Sequence, residues 1–541
     1  DIFVAGKFMM GAVVGDEVEF KKLPSERHDF EGQIVAITKE KTGIVASVEK
    51  RMGKTFVSLR DCPTLSLPAD NNPQAKQDDV VLVNLSGRGR GHRSLSATIT
   101  TVIGKISSSK KAVELILAEK GVHEQFDEEI ILEAEGVISR IDMANEKIHR
   151  TDLTHLPIFT IDSASTKDID DAICVLKTDS GYNLGVHIAD VSHYVRPTSL
   201  CNKEAFERGN SIYYGDSVIP MLPQEYSNDV CSLNENTEKL AFTCDIQLDD
   251  KGDVIDYKFY KSIIRSRVKG VYSEINTILA GEETQEIKDK YKDVLSEIFA
   301  AQELYNLLKT KRDKRGSMDI ESDEAYIIFD ETGHAQDIKK RERGMSEMII
   351  EECMLLANSC SANLAKKADL PFVYRVHEEP AAEKLLVLKN NLRRFGLTLE
   401  SKEGESLQQS MSALLDKTRD TNLQLVIHKG ILRSQSKAKY SENPIGHFGL
   451  ALEDYAHFTS PIRRYSDLAI HRILTDYVNG AAKEKMHAKF DKFVTSASQQ
   501  TSQTEIVAMQ VERGATDIYK AEIMEKHIGE EFEGVVTSVI S

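Results

Sequence analysis

An acidic segment between two apolar runs is the feature that most constrains how this chain folds. Residues 162–171 contain four aspartates and one lysine, whereas residues 156–161 and 172–176 have the apolar, β-prone composition of strands. The four carboxylates belong to Asp162, Asp168, Asp170 and Asp171. A loop held between two buried strands cannot spread its charges freely into water, so such carboxylates either take up protons or bind a hard cation. The competing interpretation is a solvated acidic turn.

The chemistry of these candidate ligands indicates which cation would suit them. Oxygen ligands without an accompanying Cys or His favour Mg²⁺, with Mn²⁺ as the alternative. An EF-hand calcium loop needs acidic or Asn ligands at its first, third and fifth positions and Gly at its sixth. Counted from Asp168, the fifth and sixth positions are Ala172 and Ile173, so the sequence excludes that loop.

Length and composition are those of an ordinary globular protein with several domains. The 541 residues are 41% hydrophobic and 29% charged, which predicts about three to four domains. The seven cysteines lack zinc-type spacing, so we expect free thiols in a reducing compartment. The chain lacks an apolar run of about 18 residues and does not begin like a signal peptide, so we expect a cytoplasmic protein without membrane contact. Its first residue is not Met, and we therefore expect it to begin inside a longer chain.

Changes in residue pattern divide the chain into five parts. Short strand candidates separated by Gly, Pro, Asn and Asp predict small β-barrels over residues 1–41 and 42–107, the first of them partial. Residues 108–150 are rich in helix formers and predict a helical connector. Residues 151–527 alternate strand-like and helical patterns and end in helix-forming sequence, which indicates an α/β or α+β domain. Residues 528–541 resemble the first strand of another β-domain.

The charge balance leaves the class of substrate open. A net charge of −17 argues against a generally basic surface, but a locally positive groove can still bind nucleic acid. Between two strand candidates, the glycine-rich residues 86–93 carry Arg88, Arg90 and Arg93. Such a loop is suited to wrapping a phosphate backbone without reading bases. The alternative is a solvated hairpin tip.

A second constellation lies almost 300 residues after the first aspartate, at residues 457–467. Ser460 suits a helix N-cap and Pro461 the first helical position. Arg463 and Arg464 would then occupy the first turn, where the helix dipole disfavours cations. Arginine beside free helical N–H groups makes an anion site suited to phosphate. The alternative is a salt bridge to Asp467 or Glu453.

An acidic metal loop and an arginine-bearing segment together indicate phosphoryl transfer. Two metal ions can activate a water and stabilise the departing oxygen, while arginine neutralises the phosphate oxygens. The chain has no GxxxxGK[ST] loop, which disfavours an ATPase or kinase. Hydrolysis of a phosphodiester is therefore the favoured reaction.

Several segments resemble the ribonuclease II / ribonuclease R family of 3′-to-5′ exoribonucleases, which have the RNB domain. The matching segments are residues 160–172, 187–195, 219–223, 374–377 and 457–467. The resemblance implies a multidomain fold with N-terminal OB-type (cold-shock) β-barrels at 1–41 and 42–107, an RNB catalytic domain at 151–527 and the start of an S1 OB-type barrel at 528–541. It also implies processive cleavage of RNA from a single-stranded 3′ end, with release of nucleoside 5′-monophosphates. A monomer without an obligate protein partner is expected.

The resemblance also implies roles for individual residues. Asp162, Asp168 and Asp171 would help to hold Mg²⁺, and Asp170, a further metal-site residue, would be indispensable for the chemistry. Arg463 would stabilise charge at the scissile phosphate. The RNA-contacting residues would be Tyr213, which stacks on the terminal base, Tyr272, which narrows the channel, and Glu351, which supports the 3′ end.

One position departs from the family pattern. Where the family commonly has a phenylalanine opposite the stacking tyrosine, this chain has Ile320. An aliphatic side chain loses the π-stacking part of about 1–3 kcal/mol per base, so we predict a weaker grip on the 3′ end and unchanged chemistry. Ile320→Phe should tighten the binding of short single-stranded RNA.

The sequence leaves three rival functions and one subdivision open. The rivals are a catalytically idle RNA-binding protein on the same scaffold, a DNA exonuclease and a metal enzyme acting on small phosphoesters. Within the family, residues 160–166 favour ribonuclease II, whereas residues 193–195 and 374–377 favour ribonuclease R. The ribonuclease R side is preferred, and digestion of a duplex with a 3′ overhang would test that preference.

Overall fold

The computed structural model describes residues 2–24, 31–89, 91, 94–318, 325–340, 343–400, 404–534 and 536. Ile320, Arg90 and Arg93 lie outside these residues, so the predictions made for them stay predictions.

Two β-sheets form the N-terminal part of the chain. The first has three strands in the order β1-β3-β2, and the second has five in the order β6-β5-β4-β7-β8. Their strands are β1 (Phe3–Val4), β2 (Glu17–Leu23), β3 (Glu31–Lys39), β4 (Ile44–Arg51), β5 (Lys54–Leu59), β6 (Cys62–Pro68), β7 (Val80–Ser86) and β8 (Ser96–Gly104). Alternate residues such as Val81, Val83 and Leu85 point into one apolar core, as the period of two requires. A single parallel bridge between Ala69 and Ala97 links the two edges of the larger sheet. The prediction of β-rich N-terminal units is confirmed.

Three helices occupy the region for which a helical connector was predicted. They are α1 (Ser109–Glu119), α2 (Glu128–Ile138) and α3 (Met143–His149). Ser108 caps α1 by accepting a hydrogen bond from the Lys111 N–H, and Asp142 caps α3 by accepting from the Ala144 and Asn145 N–H groups.

The central domain is built on a five-stranded sheet in the order β11-β12-β15-β16-β9. Its strands are β9 (Thr151–Asp152), β11 (Asp171–Thr178), β12 (Gly181–Ala189), β15 (Glu238–Asp249) and β16 (Val254–Arg265). All neighbours are antiparallel except β9, which runs parallel to β16 at one edge. The domain is therefore α+β rather than α/β. Beside this sheet, β10 (Thr160–Asp162) pairs in parallel with β17 (Lys269–Val271).

Helices cover the sheet and enclose the largest apolar core. Packing against it are α8 (Leu295–Arg315) on β11, α9 (Met345–Ala368) on β12 and α13 (Tyr465–Val478) on β16. The last helix, α14 (Lys483–Glu525), is 43 residues long and contacts both α13 and α1, so it joins the connector to the central domain.

Shorter elements complete the domain. The remaining helices are α4 (Val191–Tyr194), α5 (Leu200–Arg208), α6 (Tyr272–Ala280), α7 (Gln285–Tyr291), α10 (Ala382–Arg394), α11 (Leu407–Thr418) and α12 (Gln424–Ser434), together with short helical turns at Gly6–Phe8, Glu225–Val230 and Phe448–Leu450. The remaining strands are β13 (Ile212–Tyr214), β14 (Ser217–Ile219), β18 (Ala325–Phe329), β19 (Ala335–Lys340), β20 (Tyr374–Val376) and β21 (Lys439–Ser441).

Three further expectations can be compared with the fold. The seven cysteines are free thiols, and all except Cys62 are buried. Within the described residues, no helix has both the length and the apolarity to cross a membrane. The strand expected near the C-terminus is absent from residues 528–534 and 536, which form turn and coil; the other residues from 535 on lie outside the described part.

Candidate active site

The backbone of the acidic loop between β10 and β11 is fixed by side chains from two other segments. The Lys269 ammonium, which extends from β17, donates hydrogen bonds to the carbonyl oxygens of Ala164 (3.1 Å) and Thr166 (2.6 Å). The Ile169 N–H donates to Ser232 Oγ at 3.0 Å. Because these hydrogen bonds fix the loop backbone at residues 164, 166 and 169, its carboxylates cannot all turn outward into solvent.

Asp170 lies at the bottom of the site and contacts the distant arginine segment. Its side chain is only 4% exposed, and its Oδ1 accepts a 2.8 Å hydrogen bond from the Ile462 N–H. Its Oδ2 lies 3.7 Å from Arg463 Nε and has no hydrogen-bond partner within the described part of the chain. Two segments almost 300 residues apart in sequence therefore meet at one carboxylate.

The arginine segment differs from its sequence-based prediction. Ser460 and Pro461 do not begin the helix, because α13 starts at Tyr465 and the two arginines precede it. The Arg463 carbonyl accepts a 3.0 Å hydrogen bond from the Ser211 N–H, and the Tyr465 N–H donates to the Gly209 carbonyl at 2.9 Å. This pairing holds Arg464 in an extended conformation, with φ −133° and ψ 125°. The predicted first-turn position of the arginines was wrong because a tertiary backbone contact delays the helix.

Glycine is required in the strand-like segment that makes this contact. Gly209 has a φ of +64°, which lies in a backbone region that residues with a Cβ rarely adopt. A Cβ at this position would also clash with Thr504 Oγ1. The close approach to α14 and the bond to Tyr465 both depend on the missing side chain.

The two neighbouring arginines have different environments. Arg464 forms two hydrogen bonds with Asp467, from Nε to Oδ2 at 2.9 Å and from Nη2 to Oδ1 at 2.7 Å. The salt-bridge alternative considered from the sequence therefore applies to Arg464, with Asp467 as partner. Arg463 is 41% exposed on its side chain, and its Nη2 donates to Ser460 Oγ at 2.9 Å. Its guanidinium therefore remains available to a ligand in the cavity.

The aspartates and Arg463 line one cavity of about 580 Å³. Tyr213, Tyr272 and Glu351 also line it, so the structure brings together every described residue predicted for the central site. Tyr213 extends from β13, and its hydroxyl donates a 3.0 Å hydrogen bond to Asp168 Oδ2. Tyr272 begins α6, and Glu351 lies on α9, where it forms an ion pair with Arg343.

Burial perturbs the carboxylates strongly. It raises the pKa of Asp162 to about 8, with the nearby Asp171 as the next cause. Burial likewise raises the pKa of Asp171 to about 6, opposed by Arg463. The pKa of Asp170 is also raised by burial, and Arg463 and the Ile462 N–H oppose the shift. Such a set is costly to leave charged without a cation.

The donor atoms fit a hard divalent cation. Asp162 Oδ2 and Asp170 Oδ2 are both buried and have no hydrogen-bond partner among the described residues, and four of the side chains that line the cavity are aspartates, whose carboxylate oxygens suit such a cation. With the side chains in these positions, no three Asp, Glu, His or Cys side chains of the described residues form a ready metal-binding group. The fit therefore rests on donor chemistry and on the unpaired oxygens.

Some residues that line the cavity were not singled out from the sequence. Asn358 on α9 accepts a 2.6 Å hydrogen bond from the Phe458 N–H and donates to Tyr455 and Thr459. His457 is partly buried, lines the same cavity and hydrogen-bonds Tyr440. His457 and Thr459 could have been found from their place in the arginine segment at 457–467, but Asn358, a lone Asn inside a long helix, gives no local signal.

The structure corrects the role predicted for Arg88, one of the arginines of the glycine-rich loop. The Arg88 side chain is only 2% exposed and forms a buried ion pair with Asp16. It also donates a 2.8 Å hydrogen bond to the Lys41 carbonyl. The prediction that Arg88 wraps a phosphate backbone was wrong, because its guanidinium joins the two N-terminal sheets instead.

Comparison with known proteins identifies similar chains. The RNB domain model matches residues 150–480. Ribonuclease R 1 of Lactococcus lactis is 34% identical over all of this chain and 66% of its own length. Ribonuclease R of Thermotoga maritima is 37% identical over 94% of this chain and 72% of its own length. The chain thus spans about two thirds of the length of these relatives. The structure of Mycoplasma genitalium RNase R in complex with ribose-methylated single-stranded RNA superimposes with a TM-score of 0.91 at 27% identity, covering 100% of this chain and 86% of that one.

Proposed function

This chain belongs to the RNB-domain family, and from that premise we propose that it is a hydrolytic, processive 3′-to-5′ exoribonuclease of the ribonuclease R type, releasing nucleoside 5′-monophosphates from single-stranded RNA. The observation that carries the proposal is the contact between Asp170 and Arg463, 3.7 Å apart in a cavity lined by four aspartates. A buried carboxylate and a half-exposed guanidinium at one point suit a reaction in which a phosphate gains negative charge.

The proposed mechanism gives the aspartates and Arg463 different roles. Mg²⁺, or Mn²⁺ in its place, would be held by Asp162, Asp168 and Asp171 with Asp170, and when bound it would make a water nucleophilic and offset phosphate charge. Arg463, whose Nε lies 3.7 Å from Asp170 Oδ2, donates to the phosphate oxygens as their charge rises. The Ile462 N–H keeps the Asp170 carboxylate oriented while this happens.

Aromatic and acidic residues along the cavity position the RNA end. The Tyr213 ring is 40% exposed, so a base can stack on it while its hydroxyl stays bound to Asp168. Tyr272 narrows the path to the aspartates, and Glu351 supports the terminal nucleotide. The link from Tyr213 to Asp168 couples the position of the last base to the metal-binding loop.

The proposal also gives a domain type to each part of the chain outside the central domain. Residues 1–41 and 42–107 are cold-shock units of OB type, supported by the strand order of the larger sheet and its parallel closing bridge. Residues 108–150 are a connector, 151–527 the catalytic domain and 528–541 the start of an S1 domain. OB-type units that follow a nucleic-acid backbone would guide RNA toward the cavity. A cytoplasmic monomer is proposed.

The decisive test is Asp170→Asn, measured with end-labelled single-stranded RNA and Mg²⁺. The variant should bind RNA like the parent chain, while release of mononucleotides collapses, because the Asn amide cannot supply the carboxylate charge. Asp179→Asn changes an exposed acid in the turn that follows β11; it is the matched control and should cleave normally. Near-normal metal-dependent cleavage by Asp170→Asn would refute the assignment.

The same assay separates the rival functions. A parent chain that binds RNA but releases no mononucleotide would be an idle RNA-binding protein. Equal digestion of ribose and deoxyribose strands would indicate a general exonuclease. A duplex with a 3′ overhang, digested to its end, supports the ribonuclease R type, whereas a stop at the duplex indicates the ribonuclease II type.

A further inference from the structure

A second cavity lies against α13, the helix that follows the arginine segment. It measures about 710 Å³ and is formed by the stretch leading into α5, by α13 and by the start of α14. None of its lining residues is shared with the cavity that holds the aspartates. Proteins bind small ligands in cavities of roughly 300–1,000 Å³, so this one is large enough for a molecule of nucleotide size.

The charged side chains that line this cavity among the described residues are all cationic. Four cationic residues line it, namely Lys203, Arg472, Lys489 and Lys492, and no acidic residue of the described part of the chain does. The chain as a whole has a net charge of −17, so an all-cationic cavity is not a reflection of composition. Lys489 has an acidic partner outside the cavity, Asp476 at 2.6 Å, whereas no ion pair involves the other three within the described part of the chain. The cavity therefore favours an anion.

Arg472 supplies the strongest indication of a ligand. Its side chain is buried, with 6% of the residue exposed, and it lies on α13 at the wall of the cavity. Nη1 donates to the Tyr465 hydroxyl and Nη2 to the Val195 carbonyl, both at 2.9 Å, but Nε has no hydrogen-bond partner among the residues that the structure describes. Arginine stays protonated at neutral pH, and a buried charge without a counter-ion is costly. An anion entering the cavity would offset that cost.

Aromatic side chains also line this cavity. Phe206 on α5 and Tyr465 on α13 meet edge to face with centroids 5.2 Å apart, and Phe490 and Phe493 lie 6.1 Å apart on α14. Phe206 and Phe493 are only partly buried, so part of each ring is open to an incoming molecule. Aromatic walls next to cations match a ligand that combines a flat ring with a negative group.

We propose that this cavity binds a small aromatic organic phosphate with the chemistry of a nucleoside 5′-monophosphate. Its ring would lie against Phe206 and Phe493, and its phosphate would be held by Arg472, Lys203 and Lys492. The site is separate from the aspartate cavity, so it does not depend on the proposed nuclease reaction.

The test is calorimetric titration of the 541-residue chain with adenosine 5′-monophosphate. EDTA and a saturating short ribose-methylated RNA keep the aspartate cavity metal-free and filled, so a nucleotide bound under these conditions occupies another place. We expect one remaining site. Adenosine alone and inorganic phosphate alone should each bind at least about tenfold more weakly, because each supplies half of the contacts.

Charge reversal at the cavity rim locates the site. Lys203 and Lys492 are exposed, so the double change Lys203→Glu and Lys492→Glu should leave folding intact and weaken nucleotide binding by about tenfold or more. Lys485→Glu is the matched control, an exposed lysine on α14 outside the cavity, and should bind like the parent chain.

Three outcomes overturn the proposal. One is the absence of nucleotide binding when the aspartate cavity is filled. Another is binding that survives the double charge reversal. The third is equal affinity for phosphate alone or for adenosine alone, since either would mean that ring and phosphate are not recognised together.

Discussion

Replacing Arg463 and Arg464 one at a time should separate catalysis from stability at adjacent positions. In Arg464→Ala the two hydrogen bonds to Asp467 are lost, and that carboxylate is fully buried. In Arg463→Ala the half-exposed guanidinium facing Asp170 is lost, with a single side-chain hydrogen bond to Ser460. The two variants remove the same side chain from contrasting surroundings.

The structure sets the size of each effect. Breaking a buried ion pair from one side costs about 3–5 kcal/mol of unfolding free energy, because an unpaired charge stays behind. Asp467 keeps hydrogen bonds from the Ser460 N–H and the Ser466 hydroxyl, so we expect Arg464→Ala near the lower limit. Arg463→Ala removes a half-exposed cation that is 3.7 Å from Asp170, and Asp170 can take up a proton because burial already raises its pKa, so at most about 1 kcal/mol is expected. Loss of a donor aimed at transition-state charge lowers the cleavage rate by about 10²- to 10³-fold.

Two measurements on each variant check this reasoning. Urea unfolding followed by circular dichroism gives the stability change, and single-turnover cleavage of labelled RNA at saturating enzyme gives the rate of the chemical step. Arg463→Lys, which keeps the charge but not the planar fork, should recover only part of the rate. A large stability loss in Arg463→Ala, or unchanged stability in Arg464→Ala, would refute the assignment of the two arginines.

Three further perturbations have defined outcomes. Tyr213→Ala should weaken the binding of single-stranded RNA by about 1–3 kcal/mol in an anisotropy titration with EDTA, whereas Tyr213→Phe keeps the ring and should bind nearly normally; equal losses would exclude stacking. Burial raises the pKa of Asp162 to about 8 and that of Asp171 to about 6, so protons occupy these carboxylates at lower pH and must leave when a cation binds. The Mg²⁺ affinity measured by calorimetry should therefore rise from pH 6 to pH 8. An affinity that does not change with pH would contradict Mg²⁺ binding by these two carboxylates. Arg88→Ala should destabilise the N-terminal sheets by about 3–5 kcal/mol in urea unfolding because it leaves Asp16 buried and unpaired, and Arg60→Ala, exposed in the same part of the chain, should not.

Patterns that depend on near neighbours could be predicted from the sequence. The strands that flank the acidic loop follow from apolar runs, and the structure has them as β10 and β11. The helices of the connector follow from composition, with caps at Ser108 and Asp142. Each of these features is decided within about ten residues, where periodicity and capping rules apply.

Features decided by distant contacts could not be predicted in this way. Arg88, Arg90 and Arg93 belong to the same glycine-rich stretch of sequence. Nothing in that stretch indicates that Arg88 is buried in an ion pair with Asp16, more than 70 residues earlier. Asn358 is likewise one polar residue in a 24-residue helix, and its role appears only when the segment around Phe458 lies against it.

The arginine segment shows how such a contact can change the chemistry of a site. Ser460 and Pro461 are good helix-starting residues, and a helix begun there would place both arginines on consecutive positions of one turn. The backbone bonds of Ser211 and Gly209 instead keep Arg464 extended, and successive residues of an extended chain point to opposite sides. One arginine therefore turns inward to Asp467, while the other faces Asp170 in the cavity. Arg464 thus forms a buried structural ion pair, whereas the neighbouring Arg463 presents a half-exposed guanidinium to the cavity, because a strand-like contact replaces the first turn of a helix.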